Sequence, residues 1–458
     1  LRGRDRSSRL EEFVERPRRA VWIIAAPMMA GFAIHALYSA VDAAFIGRLG
    51  PEALAGATYV GALFFVAIAL SNGLASGVTA LLAQAIGRRD VEGAERLASG
   101  GLGLGLAIGF ALCVIGLTAG RKIIPLLGAE GRTADLAWEY FQVLSAGMPL
   151  FLTSTSIRAV LNGEGDARTP MVVMAVATGI NIALDPIFIF TLELGIRGAA
   201  LATLVAAAFS LCSFSYIAFV HKRMFTRFRA RWIAPGLSVI DPVARIGVPA
   251  AATYFVMAVG MALTNRVLSA FGHEAVAGYG AAHKVDLMVA LPVLGLAGAS
   301  MTVIGMFAGA GRPDLVRSTA LYVYRWALIA AGALGVSAYL AAPWVIGVFT
   351  EDASALEVGT VYLTFALIAY PLMSIGMVSG RVLQGIGYGL PSLIITSTRV
   401  LGVAIPGAYV AVYTFGAPIE AVWIAMIAGI LIADALAVGW VRAKAWRRNP
   451  TTLAGARD

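Results

Sequence analysis

Residues 20–44 read AVWIIAAPMMAGFAIHALYSAVDAA, a run with no Lys, Arg or Glu and a single acid, Asp42. At about 1.5 Å per helical residue the run is long enough to cross a hydrocarbon core of roughly 30 Å. It is also too long for the core of a signal peptide. Further apolar runs follow at 55–82, 97–118, 136–157, 171–191, 198–220, 243–269, 277–308, 319–340, 357–379, 392–413 and 419–440. The expected fold is therefore an all-α polytopic membrane protein with twelve transmembrane helices. Composition agrees: 59% of the 458 residues are hydrophobic, 13% are charged, and the mean hydropathy is +0.82. A soluble domain carries about 25% charged residues to cover its surface.

The basic residues choose the topology. With both termini inside, 25 of the 35 Lys and Arg fall in cytoplasmic segments and 5 on the opposite side, with 5 left inside spans. That asymmetry is the positive-inside pattern. It orients a multi-pass membrane chain with both termini cytoplasmic. The excess of Lys and Arg over 26 acids then reads as loops facing anionic lipid, with no nucleic-acid partner. The segments are a cytoplasmic tail at 1–19, an N-lobe at 20–220, an inter-lobe linker at 221–242, a C-lobe at 243–440 and a cytoplasmic tail at 441–458. Cys113 and Cys212 both lie in apolar runs and read as small core residues. No GxxxxGK[ST] loop, nucleophile–base set or metal cluster is visible, so neither an enzyme nor a cofactor is expected.

The two halves repeat. Pro27 and the segment Gly50–Gly56 (GPEALAG) recur 222 positions later as Pro249 and Gly272–Gly278 (GHEAVAG). The same offset joins Pro149 to Pro371 and Val160–Gly165 (VLNGEG) to Val382–Gly387 (VLQGIG); Gly195 meets Gly416 within one position. Each half thus holds six spans in one order and orientation, giving two pseudo-symmetric six-helix bundles. Transporters with parallel repeats bind substrate at the repeat interface and work by alternating access. Two lobes on one chain complete a transport unit, so a monomer suffices.

Polar residues inside the spans are few. Asp42 lies in the first span, Asn181 and Asp185 share a helical face in the fifth, and Thr203 lies in the sixth. A carboxylate in hydrocarbon costs at least about 2.5 kcal/mol, so such residues face a cavity, hold a proton or bind a cation. Oxygen ligands of this kind suit Na⁺, and protonation of the acids is the alternative. Bland readings stand beside these: hydration of Asp42 near its span end, and a Thr203 hydroxyl bonded to its own helix. Tyr38 and Tyr140 read as hydrogen-bonding or substrate contacts, or as interfacial tyrosines; His35 is either a cavity group or a satisfied interior histidine. In the second half Lys284, Asp286, Glu420 and Asp434 leave room for a second coupling site. Lys284 and Asp286 are two apart and do not share a helix face.

These landmarks, with Val41–Gly50 (VDAAFIGRLG), Arg158–Pro170 (RAVLNGEGDARTP), Asn181–Pro186 (NIALDP) and Leu194–Thr203 (LGIRGAALAT), resemble the multidrug and toxic compound extrusion family over about residues 20–440. The resemblance implies two six-helix lobes in an outward-open V, exporting amphipathic organic cations or drugs in exchange for H⁺ or Na⁺. It also implies an N-lobe coupling site on Asp42 and Asp185 with Asn181 and Thr203 beside them, and Tyr38 and Tyr140 nearby. Another branch couples through acids in the seventh and tenth helices. Here the seventh span has none and the tenth only Glu357 at its edge. The alternative within the wider superfamily is a flippase or exporter of a lipid-linked or amphipathic metabolite. The topology is tested by cysteines introduced singly at Asp90, Gly128 and Pro418. An impermeant thiol reagent should label the last two from outside intact cells, and labelling at position 90 would reverse the orientation.

Overall fold

The computed structural model of the protein describes residues 8–220, 224–348 and 352–446. Its described residues form helices and connecting turns, with no strand. Eleven helices are long and apolar enough to cross a membrane: Pro17–Gly47, Pro51–Gly87, Val91–Leu126, Arg168–Thr191, Gly195–Val220, Leu237–Phe271, His273–Gly309, Pro313–Leu340, Ala353–Gly385, Leu390–Thr414 and Glu420–Ala445. A bent pair, Gly131–Ala146 and Met148–Gly163, meets the same test jointly and completes the fourth span, for twelve in all. Several helices run well beyond the apolar runs of the sequence. Pro51–Gly87, with 37 residues, is about 55 Å long, well over the length a hydrocarbon core of roughly 30 Å needs.

The 48° bend of the fourth span has a local cause. Pro149 sits in the first turn of the second piece, where its missing N–H costs no hydrogen bond, and Gly147 forms the joint. Its repeat partner Pro371 lies inside the unbroken helix Ala353–Gly385.

The chain forms two compact units: the described residues of Ala30–Ala251, and those of Leu1–Met29 with Ala252–Asp458. These differ from the expected lobe boundaries of 20–220 and 243–440 at two equivalent places. The first span starts in the C-terminal unit and changes unit after Met29; the seventh starts in the N-terminal unit and changes after Ala251. Pro27 and Pro249 lie two residues before these crossovers, where a proline removes a helical hydrogen bond and permits a bend. Small residues seat the displaced starts. A Cβ on Gly73 would lie 2.5 Å from the Gly247 carbonyl and 2.9 Å from the Ala251 side chain. One on Gly295 would meet Met29 at 2.4 Å and the Ala25 carbonyl at 3.2 Å. Every residue of the second set is 222 positions from its counterpart.

The repeat extends to backbone conformation. Gly50 and Gly272 open the second and eighth spans with φ of +113° and +99°, and the turn at Arg89 (φ 58°) matches that at Gly311 (φ 69°). A Cβ on Gly56 would sit 3.2 Å from the Thr133 carbonyl, and one on Gly278 2.3 Å from that of Ala355. The polar tail also carries structure: Ser8–Glu15 is a helix that buries Leu10 and Phe13 and packs against the eighth span. Gly278→Ala should destabilise by about 1–3 kcal/mol, because backbone must move to admit the methyl group. Gly280→Ala, which meets open space, should not destabilise. Thermal unfolding of the purified protein in detergent checks the pair, and equal melting would contradict the packing.

Candidate functional site

Within Ala30–Ala251 the first, fourth, fifth and sixth spans converge on one polar cluster. Tyr38 and Asp42 are one turn apart on the first span, as are Asn181 and Asp185 on the fifth, so each pair shares a helix face. Asn181 and Asp185 are 1% and 0% exposed. The Asn181 amide, oriented to satisfy its neighbours, donates to Asp185 Oδ2 at 3.2 Å and accepts from the Thr203 backbone N–H at 3.1 Å. Thr203 Oγ1 lies 3.1 Å from Tyr38 Oη and bonds the Ala199 carbonyl of its own helix at 3.1 Å. That threonine therefore back-bonds its own helix and also meets a second span.

Tyr140 from the fourth span hydrogen-bonds the Asp42 carboxyl, and Asp42 and Asp185 are close enough to interact electrostatically. Asp42 Oδ1 is buried and has no hydrogen-bond partner. A buried, unpaired carboxylate oxygen is costly unless a proton or cation joins it. His35 takes a peripheral place: its ring is exposed and stacks on Tyr38 at 5.9 Å. An apolar layer including Ile46, Val60, Tyr140, Ile189 and Ile196 packs beside the cluster.

The fifth helix changes form at the site. Pro186 follows Asp185 directly, and Ile187–Thr191 continues as a π-helical turn. Proline has no N–H to give the ladder, and the wider turn absorbs the break; such turns concentrate at functional positions. The set offers two carboxyls, one amide and one hydroxyl, all oxygen donors. That chemistry fits either a shared proton or a hard monovalent cation.

Other buried acids escape sequence reading because their partners are distant in the chain. Glu164, 4% exposed, accepts from the backbone N–H groups of Phe225 and Thr226 at 2.9 and 2.7 Å and from the Thr226 hydroxyl. Glu95, 3% exposed, pairs with Arg229 at 2.6 Å. Both therefore tie the inter-lobe linker to the N-terminal unit. The only prior signal was the place of Glu164 in the repeated Val160–Gly165 segment. In the second half, Asp434 is buried with Oδ2 unpartnered and feels the charge of Arg399. Asp286 gathers partners from another span.

The MatE family model matches residues 27–187 and 249–410, two blocks related by the repeat. A probable multidrug resistance protein NorM of Thermotoga maritima is 27% identical over 443 residues, covering 96% of this chain and 95% of that protein. A FAD transporter of Shewanella oneidensis is 26% identical over 83% of this chain and 84% of its own. Among solved structures, a MOP-superfamily transporter from Pyrococcus furiosus, described as having a binding pocket of reversed polarity, superposes with a TM-score of 0.89. It shares 31% identity and covers 94% of this chain and 96% of its own. An outward-facing multidrug resistance MATE transporter superposes with a TM-score of 0.90 at 30% identity, covering 96% and 97%.

Because Asn181 and Thr203 belong to one network, Asn181→Ala and Thr203→Ala should be non-additive in stability. A coupling of about 0.5–3 kcal/mol is expected. Additivity in a double-mutant cycle of thermal unfolding would mean the two side chains act independently.

Proposed function

This chain belongs to the multidrug and toxic compound extrusion family of transporters, and on that premise we propose that it exports amphipathic organic cations by antiport against H⁺ or Na⁺. The observation that carries the reading is the set Asp42, Asn181, Asp185 and Thr203, in which Asn181 and Asp185 are buried and the buried Oδ1 of Asp42 is left unpartnered. Two acids in low dielectric cannot cheaply stay charged together, so the set is stable only with a proton or cation on it. An organic cation bound nearby opposes retention of that proton or ion. By linkage the two weaken each other's binding equally, which is the thermodynamic requirement of exchange. Asp42 and Asp185 are the coupling acids; Asn181 orients Asp185 and offers its amide oxygen, and Thr203 offers its hydroxyl. Tyr140 holds the Asp42 carboxyl, while Tyr38 and His35 form an aromatic edge for a flat substrate.

The transporter lies in a prokaryotic plasma membrane with both termini cytoplasmic, which puts its basic loops against the anionic leaflet. Alternating access follows from two repeated halves linked by long helices. A second reading, export of a phosphate-bearing amphipathic metabolite, draws support from the FAD transporter among the relatives. Such a substrate would select basic groups, and the polar cluster of the N-terminal unit is acidic.

Asp42→Asn and Asp185→Asn remove the titratable groups at nearly constant volume. In proteoliposomes with pH and Na⁺ gradients imposed separately, each variant should lose gradient-driven efflux of a cationic dye to the level of empty liposomes. Thr203→Ala and Asn181→Ala should weaken it less. Full efflux by a well-folded Asp42→Asn/Asp185→Asn protein would place coupling elsewhere.

A further inference from the structure

The C-terminal unit contains a partly buried acid with a different environment. Asp286 of the eighth span accepts from Tyr370 Oη at 2.6 Å on Oδ1 and from Tyr362 Oη at 2.8 Å on Oδ2. Its Oδ2 also meets His283 Nδ1 at 2.9 Å. Tyr279, His283 and Asp286 follow at i, i+4 and i+7, so they line one face of the eighth span. Tyr279 stacks on Trp423 of the twelfth span at 5.7 Å and meets Tyr362 edge-on at 5.3 Å. The acid is thus gripped from the tenth span and walled by aromatic rings.

The internal repeat shows what is particular here. Tyr362 lies 222 positions after Tyr140, the tyrosine that bonds Asp42. The positions equivalent to Asp42 and Asp185 are Thr264 and Gly407, and the position equivalent to Asp286 is Phe64. Each half therefore uses the same tyrosine to hold an acid, but the acid comes from the first span in one half and from the second span of the repeat in the other. A purely structural role explains this poorly, since a buried charge contributes little net stability over apolar packing.

We propose that His283 and Asp286, clamped by Tyr362 and Tyr370, form a second proton-binding centre within the C-terminal unit. With His283 neutral, Nδ1–H donates to Asp286 Oδ2, and the carboxylate's charge is held by the two phenols. A proton taken up at Nε2 converts the pair to imidazolium and carboxylate, with no net charge. The imidazole is the more open end of the pair: the His283 side chain is 34% exposed and Asp286 13%. The titratable groups that feel the charge of Asp286 are Tyr279 and His283 on its own span and Tyr362 and Tyr370 on the tenth. Lys284 is the adjacent charge on the same helix. The ninth span, packed on the eighth, instead places Tyr324 2.7 Å from Ser379. The inference builds on the reading of the chain as an ion-coupled transporter, and it is independent of whether Asp42 and Asp185 do the coupling.

The test is nitrogen NMR of imidazole-labelled full-length protein in nanodiscs. The chain has four histidines, and His283→Asn assigns the signal. His283 should change protonation within roughly pH 5–8. Asp286→Asn removes the partner charge and should weaken proton binding at His283 about tenfold or more. Tyr362→Phe removes a donor from the carboxylate and should strengthen it, a shift of opposite sign that general destabilisation would not produce. The same titration should persist in Asp42→Asn/Asp185→Asn protein, whose own failure would appear only in dye efflux. A His283 signal unmoved by pH, insensitive to both Asp286→Asn and Tyr362→Phe, or abolished in the Asp42→Asn/Asp185→Asn protein would overturn the proposal.

Discussion

The constraint from which the rest follows is that hydrocarbon offers no hydrogen bonds. Every backbone group in a span must be satisfied by its own helix, and every buried polar side chain by another element, a proton or an ion. The first requirement yields long helices interrupted, among the described residues, by prolines and by π- and 3-10 turns. The second gathers the few intramembrane acids into clusters. Asp185 with Asn181, and Asp286 with Tyr362 and Tyr370, are two solutions to the same problem. Asp42 is only half solved: Tyr140 holds its carboxyl, and Oδ1 stays unpartnered.

Close packing in such a chain depends on missing side chains. Without a hydrophobic force between helices, attraction comes from van der Waals contact, and small residues let backbones approach. Gly73 against Gly247, and Gly295 against Ala25 and Met29, hold the starts of the seventh and first spans in the opposite halves of the sequence. The prolines two residues before each crossover lie inside helices that belong to both units. One chain thereby makes two bundles that each include a piece of the other half's first helix.

Much of this was legible from residue order. Apolar runs about twenty residues long can only be helices in lipid, and a constant 222-residue offset can only be a repeat; twelve spans in two like halves follow without coordinates. Asn181 and Asp185 on one face follow from helical spacing, and Pro186 marks the change of turn after them. The bend of the fourth span was less accessible, since Pro149 and Pro371 are identical in sequence pattern and only one of them divides a helix. A proline permits a bend, and the packing around it determines whether one forms.

Hydropathy, charge asymmetry and repetition thus dictate how many helices there are, how they follow one another and which polar residues need an explanation. Those properties are local or periodic, and each is a sum over neighbouring residues. Tertiary structure alone decides who meets whom. It brings Tyr140 to Asp42, joins Asn181 to the Thr203 backbone, moves residues before Met29 into the other unit, and turns Asp286 from an isolated acid into the centre of a tyrosine and histidine cluster. Such contacts join residues tens to hundreds of positions apart. Packing shape selects them from many equally apolar alternatives, and no period in the sequence records that choice.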